Sequence, residues 1–195
     1  MLLLYFLLAG VGIGLARGGR LSDLAQTRFR WWPVALAGLA FQVLLFSEPL
    51  GSQVGAAGPA LYVASTLAVL AALARNLALP GFALIAVGAT LNLVAIIANG
   101  GQMPADPAAV MALLGEARIP ADVFSNSVVA GSSAAFTFLG DTMVLPRPMP
   151  FANVFSIGDV LIGSGAVVFL VRTMRRRPLI STRWWGRPAE ATVAD

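Results

Sequence analysis

The sequence predicts an all-α membrane protein: five transmembrane helices with the N-terminus outside and the C-terminus inside, interfacial helices, and a re-entrant or surface-packed extracytoplasmic cap. Three observations carry this. The chain has 195 residues, 58% hydrophobic and only 11% charged, where a soluble domain carries about 25% charged residues. Apolar runs recur at helix length through its whole course. All 13 basic residues are arginines, and they gather behind particular runs.

The first span is expected at 2–16. It lacks a basic flank and a small-x-small cleavage site, so it reads as a retained helix. Arg17, Arg20, Arg28 and Arg30 follow it. Leu21, Leu24, Ala25, Arg28, Phe29 and Trp32 recur with helical spacing, which predicts an interfacial helix anchored by Trp31 and Trp32. The second span is placed at 32–47, ahead of Glu48, the third at 58–75 and the fourth at 77–98. The fifth, at 156–172, leads into Arg172, Arg175, Arg176, Arg177, Arg183 and Arg187. A spanning helix needs about 20 residues, so the shorter runs must borrow flanking residues or thin the bilayer locally.

Orientation follows from the positive-inside rule. With the N-terminus outside, the inner segments hold both arginine clusters and Arg75, while the outer segments hold only Arg118 and Arg147. Residues 1–174 then form one polytopic domain, 99–155 its outer cap, and 175–195 an Arg-rich cytoplasmic tail suited to anionic headgroups. Within the cap, Asp106-Pro107 is a favoured helix start. A sixth span through Val128–Leu145 would carry the arginine tail outside. That segment is instead expected to fold over the outer helix ends, burying Phe136, Phe138 and Leu139 and pairing Asp141 with Arg147 or Arg118.

Small residues mark close helix contacts. Gly10 and Gly14 form a small-xxx-small pair, and Ala64, Ala68 and Ala72 repeat that spacing; packing within the chain is the expected use. Gln42 and Asn92 are lone polar residues in apolar helices and are read as interhelical hydrogen-bond partners.

The chain has no Cys and no His, which excludes disulfides, iron–sulfur clusters, ordinary zinc sites and His-ligated haem. No metal and no cofactor is expected. The arginine placement reads as topology, so no nucleic acid is expected either. Candidate ligand- or partner-binding residues are Asn99, Gly100, Gly101, Arg118, Asp141, Arg147, Ser156 and Asp159. Asn99-Gly100-Gly101 ends a helix, where glycine supplies the left-handed turn and exposed amides can hold an anion. Ser156-Ile157-Gly158-Asp159 fits a capping box with Asp in place of Glu. Asp141, after Leu139-Gly140, has no comparable structural role, and Arg147 could present its planar fork to a lipid phosphate.

Arg17-Gly18-Gly19-Arg20-Leu21, Asn99-Gly100-Gly101-Gln102-Met103-Pro104, Leu139-Gly140-Asp141 and Ser156-Ile157-Gly158-Asp159 occur in an order that resembles the domain of unknown function 5317 family. Those are small bacterial membrane proteins with no assigned activity. The resemblance implies a multi-pass protein of the bacterial plasma membrane and supplies no reaction. Gly158-Asp159 is also similar to the Gly-x-Gly-Asp motif of intramembrane aspartyl proteases. However, Ser156 stands where the first Gly belongs, and the Tyr-Asp and Pro-Ala-Leu companions are missing.

The expected function is therefore non-catalytic. The cap would bind a partner subunit, a lipid or a hydrophobic small molecule, with membrane lipid and a larger membrane complex as partners. The alternative is a membrane-embedded enzyme or carrier using Asp141, Asp159 and Arg147.

Overall fold

The computed structural model describes residues 2–47, 50–114, 127–131 and 133–174. Glu48, Arg118 and the 175–195 tail lie outside the described residues. The chain is mostly helical. In order come α1 (Leu2–Ala16), α2 (Ser22–Ala25), α3 (Trp32–Leu45), α4 (Leu50–Gln53), α5 (Gly58–Ala74, preceded by a 3-10 turn at Gly55–Ala57) and α6 (Phe82–Ala98). There follow β1 (Met103–Ala105), α7 (Pro107–Leu114), β2 (Ser127–Val129), a 3-10 turn (Thr137–Leu139), β3 (Met143–Leu145), β4 (Asn153–Phe155) and α8 (Ile157–Thr173).

Helix length by itself does not support five spans. Among the described residues, only the continuous helix Gly55–Ala74, 20 residues long, is long and apolar enough to cross a membrane by itself. The helices α1 and α3 have 15 and 14 residues, and α6 and α8 have 17 each. Seventeen residues at 1.5 Å rise span about 25 Å, short of a hydrocarbon core of about 30 Å. The stops are local. Asn99 ends α6, and the left-handed Gly100 and Gly101 (φ 68° and 90°) fold the Gly101 amide back to the Ile96 carbonyl at 2.8 Å.

The helices pack as a row: α1 against α8, α8 against α6, α6 against α5, and α5 against α3. Glycine makes the central contacts close. A Cβ on Gly10 would meet Leu170, and one on Gly14 would meet Met174, so this pair packs inside the chain, as expected. Gly81, at φ +79°, lies against the Gly165 backbone, where any side chain would be strained. Between α3 and α5, Gln42 donates to Ser65 Oγ and Thr66 Oγ1 at 3.2 and 3.1 Å.

The predicted amphipathic helix over 21–32 is a single turn. Past Gln26 the chain spends its backbone groups on α5's end: Asn76 accepts from the Arg30 amide at 2.8 Å and donates to its carbonyl at 2.7 Å. Phe29 stacks edge-on against Phe82, and Arg75 sits 4.6 Å over the Trp31 ring. These tertiary contacts override the helical spacing of the apolar residues. They also gather the ends of α1, α3, α5 and α8 that carry Arg17, Arg30, Arg75 and Arg172 at one end of the row, where Gly19 touches the Met174 backbone.

The opposite end carries the cap, and there the all-α expectation fails. Strands β1 and β2 pair in parallel, Met103 opposite Ser127, while β3 and β4 pair antiparallel, Met143 opposite Phe155. Three-residue strands leave too short an alternation to be read from sequence. α7 starts as expected: Asp106 Oδ1 accepts from the Ala108 amide at 2.7 Å. The Val128–Leu145 segment is β2, a 3-10 turn and β3, and not a sixth helix. Leu139 packs with Ala95, Ile96 and Met103, whereas Phe136 and Phe138 are exposed, against expectation.

Candidate functional site

The two Gly-Asp pairs share one local logic. At Gly140 a Cβ would strike the Pro104 carbonyl, so only glycine lets the chain lie against β1 there. Its neighbour Asp141 is then stitched in by its backbone, donating to the Pro104 carbonyl at 2.9 Å and accepting from the Asp106 amide at 3.0 Å. At Gly158 a Cβ would fall on Asn92 Oδ1 and crowd the Gly88 carbonyl. The missing side chain therefore seats the Asn92 amide beside the first turn of α8, and Asp159 follows it. Each glycine is a close-approach residue, and each following aspartate is delivered to the same cavity.

That cavity, of about 240 Å³, lies between the cap and the helix ends. Tyr62 of α5, Asn92 and Ile96 of α6 and Asp159 of α8 form its helical side. Met103, Ser127, Asp141, Asn153 and Val154 form its cap side.

Around Asp159 the polar groups are satisfied. Ser156 Oγ accepts from the Asp159 amide at 3.0 Å, and Asp159 Oδ2 accepts from the Ser156 amide at 3.1 Å, completing the predicted capping box. Asn92 Nδ2 donates to Asp159 Oδ1 at 2.9 Å, and Ser156 Oγ donates to Asn92 Oδ1 at 2.9 Å. The three residues close a ring, its Ser156–Asp159 link made through their backbone amides, with each Asp159 oxygen holding a donor. Asp159 is thus first a structural anion at a helix N-terminus.

Asp141 is the contrast. It is only 7% exposed, and burial, then the Asp159 charge, push its carboxyl up to about 7, against a smaller lowering by a hydrogen bond with Ser127. The expected pairing with Arg147 does not form. Arg147 is exposed on the turn after β3 and lines no part of the cavity, and Arg118 lies outside the described residues. No ion pair to Asp141 forms among the described residues, because its backbone bonds turn it inward while Pro146-Arg147-Pro148 stays on the surface. Beside it one buried oxygen is unsatisfied: Asn153 Oδ1 has no hydrogen-bond partner among the described residues.

Of the other candidates, Asn99 is a clamp. Its side chain donates to the Ala95 and Ala135 carbonyls and accepts from the Ala135 amide, tying the cap to α6. Gly100 and Gly101 border a separate apolar groove with Pro59, Ala60 and Leu67. Ser156 supports the cavity wall through its ring with Asn92 and Asp159.

Sequence reasoning placed Asn92 among packing residues and passed over Tyr62, Ser127 and Asn153. The one signal for Asn92 was a carboxamide alone in an apolar helix. Asn153 and Ser127 sit on strands too short to assign a face.

In comparisons with known proteins, the model of the family of unknown function DUF5317 matches residues 26–171. No curated protein and no solved structure matches the chain.

Proposed function

We propose, for a chain that belongs to the DUF5317 family, a non-catalytic membrane protein whose outward-facing cap holds a small-ligand pocket. The membrane placement is a five-helix, N-out and C-in arrangement in a bacterial plasma membrane. Large apolar side chains exposed along the row support it, among them Leu8, Leu15, Leu36, Leu39, Val43, Leu67, Val87 and Ile97. So does the collection of arginines at the end opposite the cap. Helices of 14 to 17 residues fit such a placement through local thinning and flanking polar residues.

One observation carries the binding reading: among the described residues, a polar cavity is lined by a buried carboxyl with no cation beside it and by an asparagine whose buried amide oxygen has no donor. Natural proteins pair buried polar groups, so such groups beside a cavity mark a place for a ligand. Catalysis is less well supported. Asp159 is committed to its helix cap, and Arg147 stands away from the pocket, so the enzyme or carrier built on Asp141, Asp159 and Arg147 lacks one of its three members.

The test is made on native membranes. A reporter inserted near Gln102 should be extracytoplasmic and one after Asp195 cytoplasmic, and the purified protein should retain a small molecule detectable by mass spectrometry. Asn153→Leu should purify without it. A cytoplasmic Gln102 reporter, or identical retention by the variant, would sink the reading.

A further inference from the structure

The pocket reading leaves open what is bound, and the chemistry of the lining narrows it. Arg147, the cap arginine among the described residues, does not line the cavity, so a phosphate or carboxylate ligand would meet Asp141 and Asp159 with no described cation beside it. The lining offers acceptors, the Asp141 carboxyl beside its bond to Ser127 and Asn153 Oδ1 with no donor among the described residues, while the Tyr62 hydroxyl can donate or accept. Both Asp159 oxygens already hold donors from Asn92 and Ser156. Asp141 is nine-tenths buried and Asn153 Oδ1 is unpartnered, so the site is more than two neighbouring acids.

A bare metal ion fits this set poorly. Calcium takes six to eight oxygens and magnesium a tight octahedron, and no group of three or more acidic ligands occurs among the described residues. The cavity of about 240 Å³ is also several times the ~30 Å³ share of one water. A group with several N–H donors and one positive charge matches better. Ile96, Met103 and Val154 supply wall for a short alkyl portion.

We propose that the pocket binds a small organic ammonium, its N–H groups donating to the Asp141 carboxylate and Asn153 Oδ1 and its carbon end lying against Met103 and Val154. This rests on the pocket reading above and names its ligand class. Asp141 and Asn153 are binding residues here, and Asn92, Ser156 and Asp159 are positioning residues that hold the wall.

The test uses the full chain in lipid nanodiscs, with thermal unfolding followed against added probe. Methylammonium should raise the unfolding midpoint in a saturable way, beyond sodium chloride at equal ionic strength. Asp141→Asn and Asn153→Leu should each weaken its apparent affinity at least tenfold, with Asn153→Leu deciding the matter if Asp141→Asn does not fold. Equal stabilisation by sodium or calcium, or stronger stabilisation by neutral acetamide, overturns the ammonium assignment while leaving a ligand pocket in place. Unaltered methylammonium binding in the variants overturns it also. If no probe acts and no molecule is retained from native membranes, both the assignment and the pocket reading fail.

Discussion

Gly158→Ala is expected to destabilise the protein by about 2–4 kcal/mol, the sum of overpacking and of broken buried hydrogen bonds. The added methyl would occupy the place of Asn92 Oδ1 and press on the Gly88 carbonyl. The backbone cannot yield, because α6 and α8 are already in glycine-mediated contact at Gly88 and Gly165. Asn92 must therefore swing away, releasing both Asp159 Oδ1 and Ser156 Oγ. Chemical unfolding in detergent measures the effect. Gly12→Ala is the control, since nothing lies within 4 Å of a Cβ there, and alanine's helix propensity should make it neutral or slightly stabilising. Equal stability of the two variants would contradict the packing described.

The second large effect is at Asp159. Asp159→Leu removes the carboxylate from both the Ser156 amide and Asn92 and takes a negative charge from a helix N-terminus, a loss of about 2 kcal/mol or more. Asp159→Asn keeps one of the two acceptors but turns an NH2 toward the other donor, and should cost about 1–2 kcal/mol, less than the leucine. The order Leu worse than Asn, read as unfolding free energies, is the expected result. Equal losses would mean that charge alone matters and that the ring of hydrogen bonds contributes nothing.

Local signals were legible in the sequence wherever a motif has its own geometry. Ser156 and Asp159 form the capping box that their spacing predicted, Asp106 caps α7, and Gly100-Gly101 close α6. The Gly10/Gly14 pair sits against α8, an internal contact of the kind its spacing suggests. What could not be read depended on distant partners. The 21–32 segment has helical spacing, but Asn76 takes its backbone groups from 46 residues away. The cap strands pair across separations that no local pattern encodes, such as Ala105 with both Val129 and Asp141.

The site divided along the same line. Asp141 and Asp159 were visible as carboxylates in apolar surroundings, but their convergence arises from two glycine contacts, Gly140 on Pro104 and Gly158 on Asn92. The assignment of Asp141 to Arg147 followed from proximity in sequence. It failed because the alternating directions of bridge and turn put the acid inside and the guanidinium outside.

The central claim is that the two Gly-Asp pairs bring their carboxylates to one cavity that no arginine among the described residues lines. The carboxyl carbon shift of Asp141, followed by NMR across pH in the full chain, tests it most directly. An isolated aspartate titrates near 3.9. Burial and the Asp159 charge should hold Asp141 at about 7, and Asp159→Asn should lower that midpoint by removing the negative neighbour while leaving the burial. A midpoint at or below the ordinary aspartate value, unmoved by Asp159→Asn, is what an arginine partner would produce and would contradict the account.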